Sequence, residues 1–215
     1  MRPDRGQEVC RAGRTSKWTV HIRPATWADR DAAYAVALAT GDSGADAAAL
    51  HTYPDLIGEV FVGPYLRFAP DHAFMLVDDT PCGYVLGVSD TRAFEAALVE
   101  DWWPEAQQRS RDLADPTDTD RWLIDRIAHP VTAPEEVVAQ YPAHGHIDLM
   151  ERAQGRGLGL EMMARVMASL AESGATGMHL EVSPDNARAL AFYARLGFSP
   201  IVETADAVYL GRPLP

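Results

Sequence analysis

From His144 onward the chain alternates strand-like and helix-like patterns in a way that few folds allow. His144 to Met150 reads as a strand and Gly157 to Ser173 as a helix, with Leu158, Met162, Met163, Val166, Met167 and Leu170 on one side and a stop at Gly174. Gly177 to Val182 reads as a second strand and Asn186 to Leu196 as a second helix. Short strands follow near Phe198 to Glu203 and Ala207 to Gly211. This is a βαβα order with the glycine-rich stretch Gln154-Gly155-Arg156-Gly157-Leu158-Gly159 between its first strand and helix.

The earlier part is less regular. Trp18 to Arg23 predicts a strand stopped by Pro24, and Thr26 predicts the cap of an alanine-rich helix through Thr40. A short helix is expected over 44–51 and an irregular stretch from there to Pro70. The apolar runs Ala73 to Val77 and Cys82 to Val88 flank Asp78-Asp79-Thr80-Pro81, a hairpin signal. Residues 89–143 hold three of the five tryptophans and a helical patch near Thr91 to Val99, and read as an insertion. Residues 1–17 lack apolar periodicity and read as a disordered leader. At 215 residues and 47% apolar content, 18–215 is expected to form one domain.

The net charge is −12, and the leader is basic, so the rest is more acidic than the whole. Such a field repels nucleic acid and suits a cationic partner, with solubility alone as the alternative reading. No run of about 20 apolar residues or signal-peptide pattern is present, which predicts a cytoplasmic protein with no membrane partner. Cys10 and Cys82 make no disulfide framework and match no metal-ligand spacing.

Glycines between a strand and a helix let backbone N–H groups approach an anion, and the helix dipole adds to the attraction. The dinucleotide spacing G-x-G-x-x-G is absent, as is the Gly-Lys-Ser/Thr of a phosphate-binding P-loop; the only lysine is Lys17. The glycines are also compatible with close packing alone.

Q-x-x-G-x-G opening a helix, then a strand, then Asn186-Ala187-Arg188-Ala189-Leu190-Ala191-Phe192-Tyr193-Ala194-Arg195-Leu196-Gly197-Phe198, resembles the GCN5-related N-acetyltransferases (GNAT family). Ile22-Arg23-Pro24-Ala25-Thr26 resembles that family's first strand and turn. Residues 56–87 and the strand His146-Ile147-Asp148-Leu149 are similar to the acetyltransferase-like C-terminal domain of the O-GlcNAc-removing glycosidases. The resemblance implies an α/β fold with a mixed, mostly antiparallel sheet of about seven strands, splayed between strands 4 and 5, with 89–143 as a helical insertion before strand 4. It implies acetyl-CoA as cosubstrate: the main chain of Leu149 and Met150 beside the pantetheine and acyl group, the amides of Gln154, Gly155, Arg156, Gly157, Leu158 and Gly159 around the pyrophosphate, Asn186 on the pantetheine, and Tyr193 as proton donor to the departing thiolate.

For Asn186 the bland alternative is an N-cap, and for Tyr193 it is the core. On the acceptor side, alternation puts His144, His146 and Asp148 on one strand face, a polar row that needs partners or a function. An amine of pKa about 10.4 is protonated at neutral pH, so a base is useful. Asp148 ranks first, His146 second and Glu181 third, with a structural network as the alternative. A metal on His144, His146 and Asp148 is disfavoured, because one strand face rarely closes a coordination sphere.

The expected function is acyl transfer to a primary amine of a small molecule by direct attack, in a pocket roofed by tryptophans at 102, 103 and 122. Its rivals are a non-catalytic acyl-CoA-binding module and a protein-lysine acetyltransferase. A homodimer is compatible with either.

Overall fold

A computed structural model describes residues 20–204 and 206–215. The expected leader, Cys10 and the start of the first strand at Trp18 lie outside the described residues. Among the described residues seven strands form one sheet: β1 His21–Pro24, β2 Ala73–Val77, β3 Pro81–Val88, β4 Ala143–Leu149, β5 Gly177–Val182, β6 Ser199–Glu203 and β7 Val208–Pro213. Their order is β1-β2-β3-β4-β5-β7-β6. Every neighbouring pair is antiparallel except β4 and β5, which run parallel and are in register only at Ala143↔Met178 and His144↔His179. Beyond His144 the two strands part.

β1 ends at Pro24, which is its last residue; β1 is an edge strand, where a missing N–H removes no ladder bond.

Helix α1 (Arg30–Thr40) covers one face of the sheet and α8 (Leu158–Glu172) the other. Strand alternation separates the two cores. Ala73, Met75, Tyr84 and Leu86 pack with Ala33, Val36 and Ala37 of α1, whereas Phe74, Leu76 and Val85 pack with Met162, Met163, Val166, Met167 and Leu170 of α8. The apolar stripe expected for α8 is therefore its buried face. Helix α9 (Ala187–Arg195) closes the same side.

Two expectations need correction. The helix expected over 44–51 is a single 3-10 turn, Ala48–Leu50, after a bridge between Asp42 and Ala45. The stretch expected to be irregular before Pro70 contains α2 (Asp55–Phe61) and α3 (Gly63–Phe68). Glycines and Pro64 hide these helices from a propensity reading. Gly58 is there for contact: a Cβ on it would lie 2.2 Å from the Tyr34 ring, so α1 and α2 meet at that distance only without one.

The insertion folds as four helices: α4 (Thr91–Asp101), α5 (Trp103–Ser110), α6 (Asp118–Ala128) and the short α7 (Glu135–Val138). It is fastened at the start of α6. The buried Asp120 carboxylate accepts from His51 Nδ1 at 2.8 Å, Thr52 N–H at 2.9 Å and Thr117 N–H at 3.1 Å. Burial opposes its ionisation, but these hydrogen bonds prevail and hold the carboxyl below its usual pKa.

Candidate active site

Two cavities meet along β4. The first, about 550 Å³, is lined by Ile147, Asp148 and Leu149, the glycine-rich turn, Asn186, Arg188, Ala189 and Phe192 of the α9 region, and Thr40 at the end of α1 with Ser43 and Gly44 after it. The second, about 670 Å³, opens beside His144, Gly145 and His146 and is walled by α2, α3, the insertion and β5.

In the first cavity the main chain sets the geometry. Met150 N–H donates to the Cys82 carbonyl at 2.9 Å, which makes that pair a hydrogen-bonded one in the β3/β4 ladder. By alternation, the peptide edges of Gly145, Ile147 and Leu149 turn away from β3 toward the gap where β5 has parted. Leu149 therefore presents the peptide edge, whereas the amide of Met150, whose main chain was expected beside the acyl group, is engaged by β3. At α8 the first internal bonds run from Leu160 and Glu161 N–H to the Gly157 carbonyl, so the amides of Gly157, Leu158 and Gly159 precede the helical ladder. Gly157 has φ +80°, a conformation that costs an L side chain roughly 1–2 kcal/mol. A Cβ there would meet nothing within 4 Å, so the glycine serves backbone conformation and access rather than packing.

Gln154 is not an amide donor to this cavity. Its N–H donates to the Glu151 carbonyl at 3.0 Å, its side chain donates to the Leu149 carbonyl at 2.6 Å, and its Oε1 accepts from Arg188. Gly155 lines the cavity, and Arg156 is exposed in the same turn. Asn186 does cap α9, its Oδ1 accepting from Ala189 N–H at 3.0 Å, and it also lines the cavity. Tyr193 is buried among Phe192 and Phe198 and lines neither of these two cavities.

On the second cavity, His144 and His146 share a face with Asp148, as alternation requires. The Tyr84 hydroxyl donates to Asp148 Oδ2 at 2.5 Å. His146 sits edge-on to Tyr65 and Tyr84, with ring centroids 5.0 and 5.7 Å away, and its buried Nε2 has no hydrogen-bond partner. Glu181 lines the wall with Tyr209, Trp103, Trp122 and Arg126. Trp102 does not join them: it is buried, and its Nε1 donates to the Glu59 carbonyl at 3.0 Å.

The profile of the Acetyltransferase (GNAT) family matches residues 46–198. The chain belongs to this family. It is 30% identical over 204 residues to Protein O-GlcNAcase of Rattus norvegicus, an alignment that covers 90% of this chain and 22% of that protein. The chain spans about a fifth of the length of the curated O-GlcNAcase relatives it matches. The crystal structure of SsHAT superposes on it with a TM-score of 0.80 at 32% identity, over 92% of this chain and 99% of that one. A more distant neighbour in fold, yncA of Salmonella typhimurium, was solved with its cofactor acetyl-CoA; it gives a TM-score of 0.52 at 14% identity, covering 91% of this chain and 94% of its own.

Protonation in this GNAT chain follows from burial. His144 is pushed well below the ordinary imidazole pKa by burial and by the neighbouring His179 and His146. Burial lowers His146 and His179 as well, against the opposing charge of Asp148 at His146 and the Tyr141 carbonyl at His179. All three rings are neutral near pH 7. Burial and the Asp148 charge raise Tyr193, so its hydroxyl keeps its proton. Among the described residues no group of three or more His, Cys, Asp or Glu side chains is arranged to hold a metal ion, and no helix is long and apolar enough to cross a membrane.

The sequence reading missed Tyr65, Tyr84 and His179. Tyr84 and His179 each stand as a polar side chain within an apolar strand run, a signal that was available. Tyr65 lay in the stretch read as irregular.

Proposed function

We propose that this GNAT chain transfers the acetyl group of acetyl-CoA to a primary amine of a small cationic molecule. The observation that carries the proposal is the meeting of two unlike cavities on β4: one edged by main-chain amides and glycines, the other enclosed by the insertion and floored by neutral imidazoles. Acetyl-CoA supplies the acyl group as a thioester, already activated toward attack. The amides of Gly157, Leu158 and Gly159 at the positive end of α8 suit its pyrophosphate. The peptide edge of Leu149 suits the pantetheine and, through its N–H, the oxyanion.

In this reading the amine nitrogen bonds to the acyl carbon, the C–S bond breaks, and one proton leaves the nitrogen while another reaches sulfur. His146 lines the acceptor cavity, its Nε2 has no hydrogen-bond partner and its ring is neutral, so it takes precedence over Asp148 as proton acceptor. Asp148 lines the cofactor cavity and is held by Tyr84. Tyr193 keeps a proton to give to the thiolate. One observation favours the rival of a binding module: Tyr193 lines neither cavity.

A free-thiol assay across small primary amines and basic peptides tests the proposal. Thiol release with small amines is expected. Binding of acetyl-CoA without release to any acceptor would establish the module instead, and release with peptides alone would establish a protein acceptor.

A further inference from the structure

Hydrogen-bond donors and acceptors at one corner of the acceptor cavity fix where each proton lies. Thr91 Oγ1 is 2.7 Å from the Pro142 carbonyl oxygen and 2.8 Å from His144 Nδ1. A carbonyl only accepts, so the one hydroxyl proton of Thr91 points at Pro142, and Thr91 Oγ1 accepts from His144 Nδ1–H. Burial keeps the His144 ring neutral, so it carries no second proton. His144 Nε2 is then a lone pair, and Tyr65 Oη, 3.0 Å away, donates to it. The Tyr65 hydroxyl has no proton left to offer a ligand. Phe94 packs on both rings, with centroids 4.9 Å from Tyr65 and 5.5 Å from His144, and holds the pair in place.

We infer that Tyr65 is a specificity-determining residue of the acceptor cavity: its oxygen, locked as an acceptor by the chain Tyr65–His144–Thr91–Pro142, takes an N–H from the incoming amine. This rests on the N-acetyltransferase reading above. Groups that only accept, such as carboxylates and carbonyls, find no donor at this oxygen. The charge of Glu181, across the cavity on β5, is felt at Tyr65, with the Arg126 guanidinium of the same cavity acting in the opposite sense. Tyr65 also stands beside His146, so an amine held by its oxygen reaches the strand where the two cavities meet.

The chain of donors makes its own test. With an amine found in the thiol assay, Tyr65→Phe should raise KM for the amine about tenfold or more, with a smaller change in kcat and an unchanged Kd for acetyl-CoA. Thr91→Val removes the partner of Nδ1–H and frees the ring to switch tautomer, so it should raise the same KM, while Thr91→Ser should retain the wild-type value. Long-range nitrogen–proton NMR spectra should show His144 as the neutral Nδ1–H tautomer at pH 7, independently of turnover. Wild-type turnover with an unchanged KM in Tyr65→Phe, or an Nε2–H ring or imidazolium at His144, overturns the inference alone. Absence of thiol release by the wild type with every amine overturns both this inference and the reading beneath it.

Discussion

The two cavities along β4 are built from different material. The side proposed for the cofactor is main chain: one continuous segment from Ile147 to Gly159 supplies peptide edges, amides and the absence of side chains, and α9 closes it. The side proposed for the acceptor is side chain: Phe61 and Tyr65 from α2 and α3, Phe94 from α4, Trp103 from α5, Trp122 and Arg126 from α6, with histidines from β4 and β5. A site made of backbone tolerates most side-chain changes but fails where a backbone conformation is lost. A site made of side chains on many elements depends on how those elements are fastened.

The fastening of the insertion gives the largest expected effect. Asp120→Ala leaves the donors of His51, Thr52 and Thr117 buried without their carboxylate, and a loss of about 3–5 kcal/mol in urea-unfolding free energy is expected. At a temperature where the variant stays folded, KM for the amine should rise while acetyl-CoA affinity holds. If acetyl-CoA affinity fell as the amine KM rose, the two cavities would not be separable. The converse change is Gly157→Val, where φ +80° disfavours a side chain and where, on the proposed function, the pyrophosphate lies. Titration calorimetry should show acetyl-CoA affinity down by about a hundredfold or more, near 3 kcal/mol. Amine KM should respond little, and an unchanged acetyl-CoA affinity would move the pyrophosphate elsewhere.

Tyr193 belongs to neither wall, and its substitution sharpens the comparison. Tyr193→Phe keeps the ring that packs on Phe198, so the melting temperature and acetyl-CoA affinity should stay at wild-type values. If the hydroxyl serves the thiolate, kcat should fall about a hundredfold. Full activity in this variant would make Tyr193 a core residue only.

The same difference in material explains what could be read from the sequence. A cavity wall built of backbone sits in one stretch, and its glycines at a strand-to-helix junction were legible, as were α8 and its buried stripe. Which amides are free was not: Met150 and Gln154 are engaged by the Cys82 and Glu151 carbonyls, bonds that depend on ladder phase and a 3-10 turn. On the acceptor side, alternation placed His144, His146 and Asp148 on one face correctly. It could not bring Tyr65 to His144 across 79 positions, nor separate Trp102, which turns inward to Glu59, from Trp103, which lines the cavity. Residues gathered from distant helices carry no common period.

The smallest expected effect concerns protons, and it again divides the two sides, since His144, His146 and His179 line the acceptor cavity and no histidine lines the cofactor cavity. Burial lowers the pKa of His144 well below 6.5 in the folded protein. Below that value the unfolded chain binds a proton that the folded one refuses, so stability is full above about pH 6.5 and is lost as pH falls. For His144 alone the loss from pH 7 to pH 6 should be about 0.7 kcal/mol. In His144→Gln the amide can still donate to Thr91 and accept from Tyr65, but it does not titrate. The urea-unfolding free energy should therefore fall less between the two pH values in His144→Gln than in the wild type, by that amount. Equal losses in the two proteins would mean that the folded protein protonates His144, and the neutral floor of the acceptor cavity would then be charged at the pH where the enzyme is assayed.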